Sequence, residues 1–283
     1  MAATSILAVD WSGARQGVRK KLWLAEGRGG SLVRVEAGRD RDELVSHLIR
    51  CAERTSELVV GLDFAFSLPA WFLRELGIST APELWERVAR CGEDWLAACT
   101  PPFWGPRGTR RPPNDPARPL FRRTESERLP VGGIQPKSPF QIAGAGSVGT
   151  GSLRGMPHLR TLRAHGFSIW PFEPPRFPLA LEIYPRLLTG PLRKSSVSSR
   201  RLYLETHLAR EPRRLLDLAA SSEDAFDAAV SAVCMARHAE AFARLGADAE
   251  PVYRLEGRIW SPVEDPTFPG PRGSGPPGAG DPT

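Results

Sequence analysis

Cysteine is scarce in this chain, with four among 283 residues. Cys51, Cys91, Cys99 and Cys234 lie far apart, form no CxxC pair and have no histidine at zinc spacing. That argues against a disulfide framework and against a structural zinc site. No apolar run approaches the ~18–20 residues a membrane span needs. The opening from Met1 to Val9 has no basic region and meets Asp10 too early for a secretory signal, so a cytoplasmic protein is expected. The five histidines, His47, His158, His165, His207 and His238, show no paired metal spacing. No Gly-x-Ser-x-Gly elbow is present, which speaks against a Ser-His-Asp hydrolase.

Proline and glycine are plentiful, at 28 and 27 residues, and Lys+Arg exceed Asp+Glu by 38 to 32. The basic excess is concentrated. Between Thr100 and Pro139 eight basic residues, among them Arg122, Arg123 and Lys137, face three acids. Between Arg186 and Arg214 eight more, among them Lys194, Arg200 and Arg201, face two. Clustered guanidinium groups attract phosphate through charge and paired hydrogen bonds. Two such blocks point to a nucleic-acid partner, DNA or RNA, and the six residues named are the candidate substrate contacts together with Ser12. Solvated loops are the alternative reading of each block.

Ser5–Val9 reads as a short buried strand, and Lys21–Ala25 with Ser31–Val35 as a hairpin around Gly27, Gly29 and Gly30. Arg39–Glu53 switches to helical spacing, and Leu58–Leu62 is a buried strand ending at Asp63. Strand, strand, strand, helix, strand is how a ribonuclease-H-like sheet opens, and other α+β folds open this way too. Glu83–Ala98 is an amphipathic helix with Cys91 on its apolar side. Ten prolines between Pro101 and Pro139 exclude a helix or central strand there. Leu153–His165 reads as a helix despite Pro157, then Phe167–Trp170 and Leu179–Tyr184 as strands. Helices over Arg200–Ala209 and Glu223–Phe242 follow. The expected fold is α/β: a mixed central sheet flanked by helices, residues 1–262, with a Pro/Arg-rich insertion over about 69–166. Residues 263–283, rich in proline and glycine, read as a disordered tail.

Asp10 and Asp63 each follow a buried apolar strand. Asp227 sits in a helix among small residues, with Asp224 one turn earlier on the same face. Glu182 interrupts Leu179-Ala180-Leu181-Glu182-Ile183, pointing opposite to Leu181 and Ile183. Carboxylates gathered from neighbouring strand ends and one helix repel unless a cation lies between them, and Mg²⁺ or Mn²⁺ is the hard, oxygen-seeking choice. Each acid also has a structural reading. Asp10 brackets a turn, Asp63 caps the segment from Ser67, Asp224 belongs to a capping box with Ser221, and Glu182 pairs with a buried arginine.

The segments Val9-Asp10-Trp11-Ser12-Gly13-Ala14, Gly61-Leu62-Asp63-Phe64-Ala65-Phe66-Ser67-Leu68-Pro69, Glu182-Ile183-Tyr184-Pro185 and Asp224-Ala225-Phe226-Asp227-Ala228 resemble a bacterial family labelled domain of unknown function 429, over about Ile6 to Pro262. That family is described as predicted nucleases of ribonuclease-H fold. The Asp-x-x-Asp-Ala helix also resembles the last motif of RuvC-like resolvases. The resemblance implies Asp10 and Asp63 as strand ligands and Asp224 and Asp227 as helix ligands. In the RuvC-like pattern the second acid is glutamate, and this chain has the shorter Asp63. Glu182 has no counterpart in that pattern.

The expectation is a nuclease in which Asp10, Asp63 and Asp227 hold one or two Mg²⁺ or Mn²⁺ ions, with Asp224 or Glu182 completing the shell and no organic cofactor. Two alternatives remain: an actin-like ATP-dependent phosphotransferase, from the Asp10-Trp11-Ser12-Gly13 turn, and a non-catalytic nucleic-acid-binding protein. Gly144-Ala145-Gly146-Ser147-Val148-Gly149 matches a dinucleotide fingerprint with Glu173 beyond it, but Gly151, Gly155 and Pro157 spoil the helix start it requires. A tight loop near a substrate phosphate is the preferred reading. Phe103, Trp104 and Phe121 read either as base-stacking residues or as packing.

Overall fold

A computed structural model describes residues 4–127, 131, 133–144 and 146–262. The proposed tail over 263–283 therefore lies outside the described residues. Seven strands form one mixed sheet: β1 Ser5–Asp10, β2 Trp23–Arg28, β3 Ser31–Glu36, β4 Leu58–Leu62, β5 Ser168–Ile169, β6 Leu179–Ile183 and β7 Ile259–Trp260. The spatial order is β3-β2-β1-β4-β6-β5, with β7 in line beside the other half of β6. β1 runs antiparallel to β2 and parallel to β4, and β4 is parallel to β6. The protein is α/β, as the alternation of short apolar runs and helical spacings predicts.

β4 and β6 are buried along their whole length, and β1 up to its final residue. Both faces of these strands are therefore covered, and period two decides which residue serves which face. On one face Leu7, Val9, Leu58, Val60 and Leu62 meet the Arg41–Arg54, Ala81–Ala98 and Gly149–Ala164 helices. On the other, Ile6, Ala8, Val59, Leu181 and Ile183 meet the Glu223–Arg237 helix and its neighbours. Along the Glu223–Arg237 helix, Ala225, Ala228, Ala229, Ser231 and Ala232 are buried. Their small size lets the helix backbone lie almost on the sheet. A Cβ added at Gly27 of β2 would stand 2.4 Å from the Ala232 carbonyl oxygen. Gly27→Ala is accordingly expected to force the helix outward and cost about 1–3 kcal/mol, read by urea unfolding. An unchanged midpoint would mean the helix has slack against β2.

Described residues at both ends of the proline-rich segment between Pro101 and Pro139 contribute to the first face's core. Phe103, Trp104, Leu120 and Phe140 are buried, and Trp104 bridges to Gln141. Phe103 and Trp104 are thus packing residues and not base-stacking platforms. Arg111 lies over the rings of Trp104 and Phe121. The helix expected from Leu153 begins four residues earlier and runs Gly149–Ala164 through Pro157. Glycine at its start reflects close packing there and does not break it.

Candidate functional site

Alternation along the strands positions the acids. Asp10 continues the Ile6, Ala8 series of β1, and Asp63 continues Val59, Gly61 of β4. The Asp63 amide donates to the Val9 carbonyl at 3.0 Å, extending the ladder one residue past β4. Both carboxylates therefore lie at the C-terminal ends of adjacent parallel strands, on the face covered by the Glu223–Arg237 helix. Asp224 and Asp227 come from the first turns of that helix. Asp63, Asp224 and Asp227 line a cleft of about 800 Å³ with Trp11, Ser12 and Lys194.

The structural readings of three acids fall away. Helix Glu223–Arg237 is capped by Ser222, whose hydroxyl accepts from the Ala225 amide, so Asp224 is not needed as a capping-box acid. The Ala70–Glu75 helix is served by Glu256, which accepts from the Ala70 amide, and not by Asp63. Asp10 ends β1 and is no turn bracket. Among the described residues, no donor bonds the side-chain carboxylate of Asp10 or of Asp63.

Charge around this cleft is poorly balanced, with Asp10 adjoining the lining residues and not among them. Asp10 is held well above its ordinary pKa by burial first and then by Asp63, Asp227 and Asp224, with Lys194 opposing. Asp63 is pushed up to about 8 by burial and by Asp227, again against Lys194. Burial raises Asp224 as well, with Asp227 and Glu223 adding to it and Lys21 opposing. Tyr184, on the cleft wall, rises to about 12 through burial and the neighbouring Asp63. Lys194 pairs directly with one of these acids: its Nζ lies 2.6 and 2.8 Å from the two oxygens of Asp227.

Glu182 is corrected. It projects to the opposite face from Asp10 and Asp63, where it is 3 % exposed and bonded to Arg122 at 2.5 and 2.9 Å. It also accepts from the Phe66 amide at 3.0 Å. Its alternative reading, a partner for a buried arginine, describes it, and nothing remains for a metal shell. Arg122 is corrected with it, since a fully buried guanidinium has no surface to offer a substrate. Arg200 is also withdrawn as a substrate contact. It is 4 % exposed and donates to the Ala220 and Lys194 carbonyls.

Arg123 is exposed but pairs with Glu127 and Glu250, and Arg201 faces Asp217 at 3.9 Å; neither lines the cleft. Ser12, Lys137 and Lys194 do line it, as do Lys21 and Arg186. Lys21 ends a short basic run between β1 and β2, after Arg15, Arg19 and Lys20, which the two basic blocks counted in the sequence do not include. Glu173, the acid beyond the glycine fingerprint, is spent on Arg163 and the Ile169 amide.

The turn after Asp10 is clamped from behind. Arg41 donates to the Ser12 carbonyl at 2.9 Å and to the Ala14 carbonyl at 2.5 Å, and Arg154 donates to the Gly13 carbonyl. A Cβ on Gly13 would stand 2.6 Å from the Gly151 amide nitrogen, so only glycine lets the start of the Gly149–Ala164 helix close over this turn. The cleft thus has carboxylates at its floor and the start of a helix on its wall, a polarity suited to a bound anion.

Oxygen donors of this kind suit Mg²⁺ or Mn²⁺. Two half-buried carboxylates without a hydrogen-bond donor carry the uncompensated charge such an ion would neutralise. Among the described residues no three His, Cys, Asp or Glu side chains are drawn together as a ready cage. The ion pair to Lys194 engages Asp227. Among the described residues, no helix is long and apolar enough to cross a membrane. No protein-family model, curated protein or solved structure matches the chain.

Proposed function

We propose that this chain is a metal-dependent nuclease of ribonuclease-H-like fold, hydrolysing phosphodiester bonds of DNA or RNA. The observation that carries the reading is the pair Asp10 and Asp63. They sit side by side at the ends of parallel strands, half-buried, mutually repelling and without a hydrogen-bond donor among the described residues. The strand, strand, strand, helix, strand opening and the antiparallel β2 beside a parallel β1–β4 pair support the fold assignment.

Asp10 and Asp63, with Asp224 from the helix, would hold the ion, and Asp227 stands beside them against Lys194. When bound, such an ion lowers the pKa of a coordinated water and offsets charge developing on the phosphate. The chain's own groups do the rest. Lys21, Lys137 and Arg186 on the cleft wall attract and position the phosphodiester backbone. The clamped Asp10–Ala14 turn keeps the strand-end carboxylates in place, because Arg41 and Arg154 fix its carbonyls.

The test is hydrolysis of labelled single-stranded DNA, duplex DNA, RNA and branched DNA with Mg²⁺, Mn²⁺ or EDTA. Wild type runs beside folded Asp10→Asn. Cleavage that needs metal and is lost in the variant is the expected result. A folded protein that cuts none of these substrates yet hydrolyses or transfers the γ-phosphate of ATP would move the assignment to phosphotransfer. One that only binds nucleic acid would leave a binding protein.

A further inference from the structure

We propose that the Lys194 ammonium stands in the place of a second cation, so that the cleft takes one divalent ion and not two. This rests on the metal-dependent reading above and sharpens it. Lysine is almost never buried unless paired. Lys194 is 6 % exposed, and both oxygens of Asp227 are within 2.8 Å of its Nζ.

The backbone at Lys194 is also anchored. Arg200, itself buried, donates to the Lys194 carbonyl and places Nε and Nη2 on the Ala220 carbonyl at 3.1 and 2.9 Å. Ala220 ends the helix that directly precedes Ser222 and the Glu223–Arg237 helix. The lysine and its aspartate are therefore fixed to the same stretch of backbone. A surface lysine could swing aside to admit an ion; this one is buried, starts from a fixed backbone and would have to leave Asp227.

In a two-ion phosphodiesterase the ions sit ~3.5–4 Å apart and share carboxylates between them. Asp227 is the helix acid that would face a second ion, and its charge already belongs to an ammonium. Among the described residues, Asp10, Asp63 and Asp224 have no such ion pair. One divalent ion on that side, with Lys194 on the other, neutralises the acids without bringing a second divalent charge against the ammonium.

The experiment counts Mn²⁺ per folded chain by equilibrium dialysis with electron paramagnetic resonance of the free ion. Wild type, Lys194→Met and Lys194→Arg are compared, each checked by circular dichroism. The expected counts are one, two and one. Two ions in wild type, or one in both wild type and Lys194→Met, would overturn the assignment of Lys194 and leave the nuclease reading intact. No bound Mn²⁺ in any folded form would overturn the metal reading and this inference together. Should Lys194→Met fail to fold, Lys194→Gln, which keeps a polar group beside Asp227, serves in its place under the same criteria.

Discussion

Asp63→Asn is expected to make the metal-free protein more stable while removing its metal-dependent cleavage. In the folded chain the Asp63 carboxyl is pushed up to about 8, whereas an unfolded aspartate titrates near ~3.9. Between those values the folded state holds a proton that the unfolded state has released. Stability from this group is therefore present at acid pH and is lost as pH rises towards 8. Each unit of separation corresponds to ~1.4 kcal/mol at most, and the open side of the cleft reduces it. We expect Asn to stabilise the apo protein by about 1–3 kcal/mol at pH 8, a melting-temperature rise of several degrees for a chain of this size.

The gain should shrink at pH 5, where wild-type Asp63 is protonated. Glu125 is lifted to about 7 by burial and tilts the wild-type profile the same way, so the quantity to read is the difference between wild type and variant at each pH. Mn²⁺ should then stabilise wild type more than Asp63→Asn, because an ion that binds only the native state adds to its stability. Cleavage should fall on the order of 10²–10³-fold or more. A variant that melts at or below wild type at pH 8 would show that Asp63 is not under repulsion, and the central observation behind the metal site would go with it.

The parts of this site that were legible in sequence are those set by local periodicity. Ser5–Asp10 and Leu58–Leu62 are short apolar runs ended by aspartate, and alternation along each was enough to give the strand and the position of its acid. The small residues of Ala225–Ala229 announced a helix packed tightly on a sheet. Glu182 was half legible: its neighbours show that it points away from the Leu181 side. That an arginine 60 residues upstream meets it there is a tertiary fact with no local signal.

Charge counting failed for a related reason. Arg122 and Arg123 are adjacent in a basic run, yet one is fully buried and the other exposed. Arg200 and Arg201 divide in the same way. Composition sums the charges of a segment, whereas burial assigns each side chain separately. Lys194 illustrates the converse. Its place in a basic block suggests a substrate contact, and the fold seats it against Asp227, 33 residues on.

Arg122→Met is expected to cost about 3–5 kcal/mol, the largest loss of stability from any single substitution considered for this chain. Arg122 has five guanidinium N–H donors and uses each of them. Nε and Nη2 meet Glu125 at 2.8 and 2.5 Å, Nη1 and Nη2 meet Glu182 at 2.9 and 2.5 Å, and Nη1 also donates to the Glu256 carbonyl at 2.9 Å. These bonds join the proline-rich segment, β6 and the segment before β7. Methionine would fill much of the volume but strand two buried carboxylates. The loss should be larger at pH 8 than at pH 5, because Arg122 is what opposes the effect of burial on Glu125, and a carboxylate with a raised folded pKa gives up stability as pH rises. Lysine keeps the charge but supplies only three donors and no planar fork, so Arg122→Lys should also destabilise. Adding Glu125→Gln and Glu182→Gln to Arg122→Met should recover much of the loss, since the penalty lies in unpaired charge and not in missing contacts. Urea unfolding at the two pH values reads all four proteins. A cost below about 1 kcal/mol for Arg122→Met, or no recovery in the triple variant, would mean that packing and not the ion cluster joins these segments.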